Sequence, residues 1–235
     1  MTTASEVTRT LDILLSAIGL LASAPLLLLA AIGIKATSPG PVLHRARRVG
    51  LGGRPFTMLK LRTMHLGSAA GGRITSSVDP RVFAWGGALR RSKVDELPQL
   101  VNVLKGDMSL VGPRPEDVSI VRDHYTPFMR ESLAVRPGVT GPGSLNYFAI
   151  ERGLPDDPAA AEVQYLRHLL PRKIALDLVF VRNRSTRYYL GLVFRTFLGL
   201  VGLGRIFAQR AKWEQSTAAS YLATQVRPFP GGHDD

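Results

Sequence analysis

The sequence predicts a helix-rich α+β protein built on a kinked N-terminal membrane helix, with a small β-hairpin and amphipathic interfacial helices. Three observations carry that expectation: an uncharged run from Ile13 to Ile34, two short β-like runs around a glycine-rich connection, and apolar residues at helical spacing through much of the rest.

The uncharged run holds 22 residues between Asp12 and Lys35. As a helix it would measure roughly 33 Å, about the thickness of the hydrocarbon layer. A signal peptide cut at Ala22-Ser23-Ala24 would leave Pro25 just after the cut, and the apolar run continues well beyond it. A buried core helix meets the same length criterion, although an all-round apolar helix is an odd start for a soluble domain. A membrane segment covering residues 1–36 fits best. Pro25 lacks a backbone donor and crowds the preceding turn, so a kink is expected there, and a kinked helix either spans the bilayer or turns back. Lys35, His44, Arg45, Arg47 and Arg48 follow the segment, which puts the next domain on the cytoplasmic side.

Thirty Lys+Arg face eighteen Asp+Glu, a formal net charge of +12, so anionic partners are favoured: nucleic acid, an acidic membrane or phosphorylated substrates. Cys is absent, which removes disulfides, thiolate metal sites and Cys nucleophiles together. The five His are scattered without metal-ligand spacing, so any metal would sit on carboxylates or phosphates.

A cytoplasmic domain is expected over residues 37–215. Ser38-Pro39-Gly40-Pro41 is a rigid turn at its start. Runs at 42–49 and 56–64 read as strands joined through residues 50–55. In the second run the period of two puts Phe56, Met58, Lys60 and Arg62 on one face. Lys60 and Arg62 make either a phosphate grip or a solvated strand face. Residues 67–78 read as a loop. A helix is expected over 98–105, with Pro98 at its start and Gly106 at its C-cap. Pro-rich turns follow at 112–115 and 136–138, then helical stretches at 159–170 and 174–184. The stretch 188–208 reads as an interfacial amphipathic helix or a buried C-terminal one. Residues 216–235 read as a disordered tail.

The densest chemistry lies in Leu89-Arg90-Arg91-Ser92-Lys93-Val94-Asp95-Glu96-Leu97-Pro98. Neighbouring cations and a helix start favour an ionised Asp95, and an ionised carboxylate among cations can attack phosphorus. Glu96 beside it could hold Mg²⁺ against phosphate oxygens. The bland reading is helix-start chemistry, with Ser92 and Asp95 as a loose capping box.

The run Asp95-Glu96-Leu97-Pro98-Gln99-Leu100 through Gly112-Pro113-Arg114-Pro115 resembles the signature of the bacterial sugar transferases, the monotopic polyprenyl-phosphate phosphoglycosyl transferases. Ser38-Pro39-Gly40-Pro41-Val42 to Thr63-Met64 and Arg136-Pro137-Gly138-Val139-Thr140-Gly141 resemble the same family in the same order. The resemblance implies transfer of a sugar 1-phosphate from a UDP-sugar to polyprenyl (undecaprenyl) phosphate, with Mg²⁺, through an aspartyl-phosphosugar intermediate and release of UMP. It assigns Asp95 as nucleophile, Glu96 as the metal partner, Arg90 and Arg114 as phosphate clamps, and more weakly Lys60 and Arg62. It further implies a helix-rich domain on a re-entrant helix at the cytoplasmic face of the bacterial inner membrane, starting a glycan such as an exopolysaccharide. The partners are then UDP-sugar, polyprenyl phosphate, membrane lipids and, as a homodimer, a second copy of the chain; nucleic acid is not among them. The sequence departs from the family's usual text at Ala24-Pro25, where Ser-Pro is common, and at Lys93, where Ser is. It departs again at Pro142 to Tyr147, at Arg184 in place of Trp, and at Tyr189 where Asp is frequent. A catalytically inactive scaffold for polyprenyl phosphates or anionic lipids is the alternative reading; it leaves Asp95-Glu96 unexplained. A tethered nucleic-acid binder has charge alone in its favour.

Overall fold

The structure is a computed structural model that describes residues 4–67, 79–147, 155, 157–200 and 208–225. The uncharged run forms α1 (Ala4–Thr37), an unbroken helical assignment with Pro25 inside it. Ser23 Oγ donates to the carbonyl of Leu20 at 3.4 Å, which is not the Leu21 carbonyl that Pro25 leaves without a donor. One side of α1 is bare: Ile18, Leu21, Leu28 and Leu29 are exposed apolar side chains. The other side lies along the folded domain. Near its start Arg9 donates to the carbonyls of Val103 and Leu104, and Asp12 accepts from Leu110 N, Ser109 Oγ and Tyr189 Oη. In the middle a Cβ on Gly19 would press on Leu100. Near its end Ala30 and Ile34 are buried with Leu61, Phe83, Leu89 and Val94. Gly33 has no room for a side chain because the Trp85 ring lies against it.

The hairpin forms as expected, with β1 (Leu43–Val49) antiparallel to β2 (Pro55–Leu61) and His44 opposite Lys60. The second strand stops at Leu61 and not at Met64, because Arg62 turns inward. Its Nε donates to the carbonyl of Pro41 (2.7 Å), Nη1 to Ser38 Oγ and Nη2 to the Ser38 carbonyl (2.8 Å each). A buried guanidinium thereby ties the strand to the turn that ends α1.

Beyond the hairpin come α2 (Ala84–Ser92), a 3₁₀ turn (Val94–Glu96), α3 (Gln99–Lys105) and β3 (Ser109–Val111). Gly106 ends α3 in the left-handed conformation, as the sequence predicts. The dyad occupies its own turn and Ser92 Oγ bonds back to Ala88 and Leu89, so no capping box forms. After α4 (Val118–His124), α5 (Pro127–Arg130) and a 3₁₀ turn, β4 (Gly138–Thr140) pairs in parallel with β3. The two Pro-flanked turns approach so closely that a Cβ on Gly112 or Gly138 would strike the facing backbone. α6 (Pro142–Tyr147) follows.

The stretches expected at 159–170 and 174–184 form one continuous run. α7 (Pro158–Gln164) passes through a π turn (Tyr165–Leu169) into α8 (Leu170–Arg182). The wider turn falls just before Pro171, whose ring would crowd a regular α turn. α8 is the centre of the largest core cluster, with Ile174, Ala175, Leu178 and Val179 buried. α9 (Thr186–Leu200) buries Tyr188, Tyr189 and Leu192 and exposes Leu190, Phe194, Phe197 and Leu200; residues 201–207 of the expected 188–208 helix lie outside the described residues.

The chain continues as α10 (Ala208–Gln225), which crosses the boundary drawn at residue 215 and packs on α8. What the composition of the tail did not reveal is Glu214, which is 0% exposed. It accepts from Arg195, Tyr188 Oη and Asn146 Nδ2, so a charge in a polar segment is fully met by partners from two other helices. Residues 226–235 of that expected tail, and 68–78 of the expected loop, lie outside the described residues.

Removing Arg62 should therefore act on stability first. Arg62→Ala leaves the buried hydroxyl and carbonyl of Ser38 without their donor, at a cost of about 3 kcal/mol. Thermal unfolding in detergent should show the loss as a fall in Tm, and Arg62→Lys, which keeps the charge but not the three-way donation, should recover only part of it.

Candidate active site

Local backbone chemistry builds the dyad's mount. α2 ends at Ser92, and Lys93 takes a left-handed conformation (φ 61°), which no other non-glycine residue among those described adopts. That reversal costs on the order of 1 kcal/mol and swings the chain into the Val94–Glu96 turn. Asp95 and Glu96 thus sit between the C-terminus of α2, which carries Arg90, and the start of α3.

The two carboxylates are held differently. Glu96 is gripped by Arg114, with Nη2 at 2.8 Å from Oε1 and Nη1 at 3.4 Å from Oε2, and Lys93 Nζ lies 3.7 Å from Oε1. Burial works against the Glu96 charge, yet Arg114, Lys60 and Lys93 outweigh it and hold its carboxyl far below the usual range. Asp95 is 7% exposed and its Oδ1 is buried without a hydrogen-bond partner. Burial, and then the neighbouring Glu96 charge, raise its pKa above the ordinary value, opposed by Lys60, Lys93 and Arg90. The sequence reading expected the cations to dominate at Asp95; burial and Glu96 outweigh them.

Lys60, from β2, belongs to this cluster: burial and then repulsion from Arg114 push its ammonium down to about 8, while Glu96 and Asp95 pull the other way. Arg90 reaches in from α2 with Nε on Thr63 Oγ1 at 2.9 Å. The structure therefore brings together Asp95, Glu96, Arg90, Arg114 and Lys60. Arg62 stays apart, its guanidinium held by Ser38 and Pro41.

Sequence reasoning counted Lys93 as a neighbouring cation but not as the backbone reversal that it also makes, and it missed two further residues. Gln99, one helical turn after Asp95, is buried with both side-chain amide atoms unpartnered. Asp177 lies under the Arg114 turn. Its Oδ2 accepts from Arg114 N at 3.2 Å and its Oδ1 from Gly143 N at 2.9 Å, and a Cβ on Gly143 would run into that carboxylate. One side chain of α8 thus joins the turn after β3 to the start of α6. The signal for it was Asp177 as a lone acidic residue in the apolar stretch from Ile174 to Val181, four residues after Lys173.

No three His, Asp or Glu side chains converge as a metal cage among the described residues. A dyad with one orphaned carboxylate oxygen still suits Mg²⁺, which binds through one or two carboxylates and takes its other ligands from phosphates and water.

The family model for bacterial sugar transferases matches residues 3–202. The chain is 42% identical to the UDP-glucose:undecaprenyl-phosphate glucose-1-phosphate transferase of Caulobacter vibrioides over 82% of this chain and 69% of that protein. It is 37% identical to a UDP-N-acetylgalactosamine-undecaprenyl-phosphate N-acetylgalactosaminephosphotransferase of Aeromonas hydrophila over 80% of this chain but 42% of that one. With the Exopolysaccharide production protein PSS of Rhizobium leguminosarum it shares 36% identity over 85% of this chain and 97% of the relative. α10 begins after the matched family region ends.

Asp177 should give the fold a measurable pH dependence. Burial raises its pKa from 3.8 to about 7. Between those values the folded protein keeps a proton that the unfolded chain has lost, so stability falls as pH rises through that window. The Tm should decline from about pH 5 to about pH 7.5 in the parent, and Asp177→Asn, which has no such proton to lose, should flatten that decline.

Proposed function

Since the chain belongs to the bacterial sugar transferase family, we propose that it transfers a sugar 1-phosphate from a UDP-sugar to undecaprenyl phosphate and so initiates a bacterial glycan such as an exopolysaccharide. The observation that carries this reading is the buried, unpartnered oxygen of Asp95 beside a Glu96 locked by Arg114. Buried carboxylate oxygens are normally hydrogen-bonded, and one left bare among cations is suited to attack an anionic phosphorus. An inert scaffold has no use for it.

In the proposed reaction an Asp95 oxygen forms a bond to the β-phosphorus of the donor. The bond from that phosphorus to the bridging oxygen breaks, and UMP leaves with the oxygen and the electron pair. A phosphate oxygen of the polyprenyl acceptor then attacks the same phosphorus and releases the Asp95 carboxylate, giving a polyprenyl diphosphate sugar. Arg90, Arg114 and Lys60 bind and orient the phosphates through the exchange. Mg²⁺, when held by Glu96 with the donor's phosphates, would neutralise phosphate charge. Burial makes Asp95 protonate more readily than an ordinary carboxylate, so the acid limb of activity lies above the 3.8 of a free Asp.

We place the protein at the cytoplasmic face of the inner membrane, with α1 re-entrant. Asp12 near its start and Ala30 and Ile34 near its end all rest on the same globular domain. A helix crossing the bilayer would pull those contacts to opposite sides, whereas a re-entrant one keeps both ends with the domain. The bare apolar side of α1 and the exposed Phe194 and Phe197 of α9 supply the surface that would enter lipid.

Purified protein given Mg²⁺, undecaprenyl phosphate and a panel of UDP-sugars should release UMP with at least one donor. Asp95→Asn should cut turnover by about 10³-fold or more while leaving Tm near the parent's, because it removes charge but little volume. Intact-protein mass spectrometry without acceptor should find a phosphosugar adduct on Asp95. An active amide variant, or turnover with no adduct, would remove the covalent step.

A further inference from the structure

We propose that a cleft between the N-terminal turns of α1 and α9 is a second phosphate site that takes the headgroup of an anionic membrane phospholipid. This rests on the reading of α1 and α9 as membrane-lying helices and makes no use of the dyad. The cleft has a volume of about 420 Å³ and is lined by Arg9, Arg136 and Arg184 against one carboxylate, Asp12. That carboxylate is already occupied by Leu110 N (2.7 Å), Ser109 Oγ (3.0 Å) and Tyr189 Oη (2.7 Å). The arginines meet only neutral acceptors. Arg9 donates to the carbonyls of Val103 and Leu104, and Arg136 Nε to that of Gly106 at 2.9 Å. None of the three pairs with a carboxylate among the described residues, so their charge stays unneutralised in a walled cleft, which is an anion site in waiting. α9 starts at the same place: Ser185 Oγ takes Tyr188 N at 3.1 Å, and the first amides of the helix, at Thr186 and Arg187, have no intrahelical acceptor.

The surroundings favour a lipid over a soluble anion. The residue after Asp12 is Ile13, 42% exposed, and the residue after Tyr189 is Leu190, 44% exposed. On both helices, which the Asp12–Tyr189 hydrogen bond joins, bare apolar surface begins where the cleft ends. A phosphate seated among the arginines would have its acyl chains lie along Leu14 and Phe194. The cleft is also remote from the reaction. Arg9 reaches the C-terminal end of α3 and the dyad precedes its N-terminal end, a helix of roughly 10 Å away. A phosphate held here cannot meet Asp95. Arg184 and Tyr189 are two of the positions at which the sequence departs from the family's usual text.

The test uses the full chain. Flotation on phosphatidylcholine vesicles first checks the membrane reading by itself; failure to float on any vesicle overturns that reading and this site with it. Thermal unfolding is then followed in phosphatidylcholine nanodiscs with increasing phosphatidylglycerol. We expect a saturable rise in Tm. Arg184→Glu, an exposed change that should leave Tm in phosphatidylcholine alone unaltered, should raise the half-saturating phosphatidylglycerol fraction about tenfold. Arg136→Gln should shift it in the same direction, and Arg172→Glu, outside the cleft, should leave it within about twofold. Equal stabilisation by both lipids, or equal effects of the Arg184 and Arg172 changes, overturns the site. The same rise with millimolar inorganic phosphate in pure phosphatidylcholine overturns the lipid assignment in favour of a soluble anion.

Discussion

The grip of Arg114 on Glu96 is the interaction from which the rest of the site follows. It fixes one member of an adjacent carboxylate pair as a permanent anion, which is part of why the other, Asp95, resists ionisation. It also joins two segments far apart in sequence, the turn before α3 and the turn after β3. Neither end is free to relax. The backbone of Arg114 is held from below by Asp177, and the turn that carries Glu96 is set by the left-handed Lys93. The Arg114–Glu96 pair is thereby fixed at both ends, which is the rigidity that the proposed phosphate clamp requires.

The same logic of two fixed ends governs the long apolar helix α1. α1 is held by Asp12 and Arg9 near its start and by Ala30, Ile34 and the neighbouring Trp85 indole, which donates to the Ala30 carbonyl at 3.3 Å, near its end. Arg62 extends that hold to the turn after the helix. Since α3 packs directly on α1 and follows the dyad, a position along α1 is also a position relative to Asp95.

Local patterns in the sequence revealed what they determine by themselves. The hairpin was legible because its strands are short and flanked by glycine and proline. α3 was legible because Pro98 and Gly106 mark its ends, and Asp95 with Glu96 stood out by their charge in a basic neighbourhood. What stayed hidden depends on contacts between distant segments. Arg62 shares a strand face with Lys60 by periodicity, yet the strand ends one residue earlier and the guanidinium turns back to Ser38. Glu214 lies in a segment of tail-like composition, and only its partners on α6 and α9 explain why that segment folds. The sign of the Asp95 shift was misjudged for the same reason: cations can be counted in a sequence, whereas desolvation depends on what packs over the group.

That imbalance bears on how charge is arranged around the dyad. Lys60 is pushed down to about 8 by burial and then by repulsion from Arg114, so its ammonium holds its proton less firmly than a free lysine. Any phosphate entering between Lys60 and Arg114 relieves their repulsion and strengthens the ammonium. The same anion works against Asp95, whose ionisation burial and Glu96 already oppose. The cluster therefore responds to a phosphate in two opposite ways. Its cations hold their charge more firmly, while the anion makes it a harder place to keep a second carboxylate charged. Lys60, Lys93 and Arg90 offset that penalty by favouring the charged form of Asp95, which is a physical reason for carboxylates and cations to share one pocket.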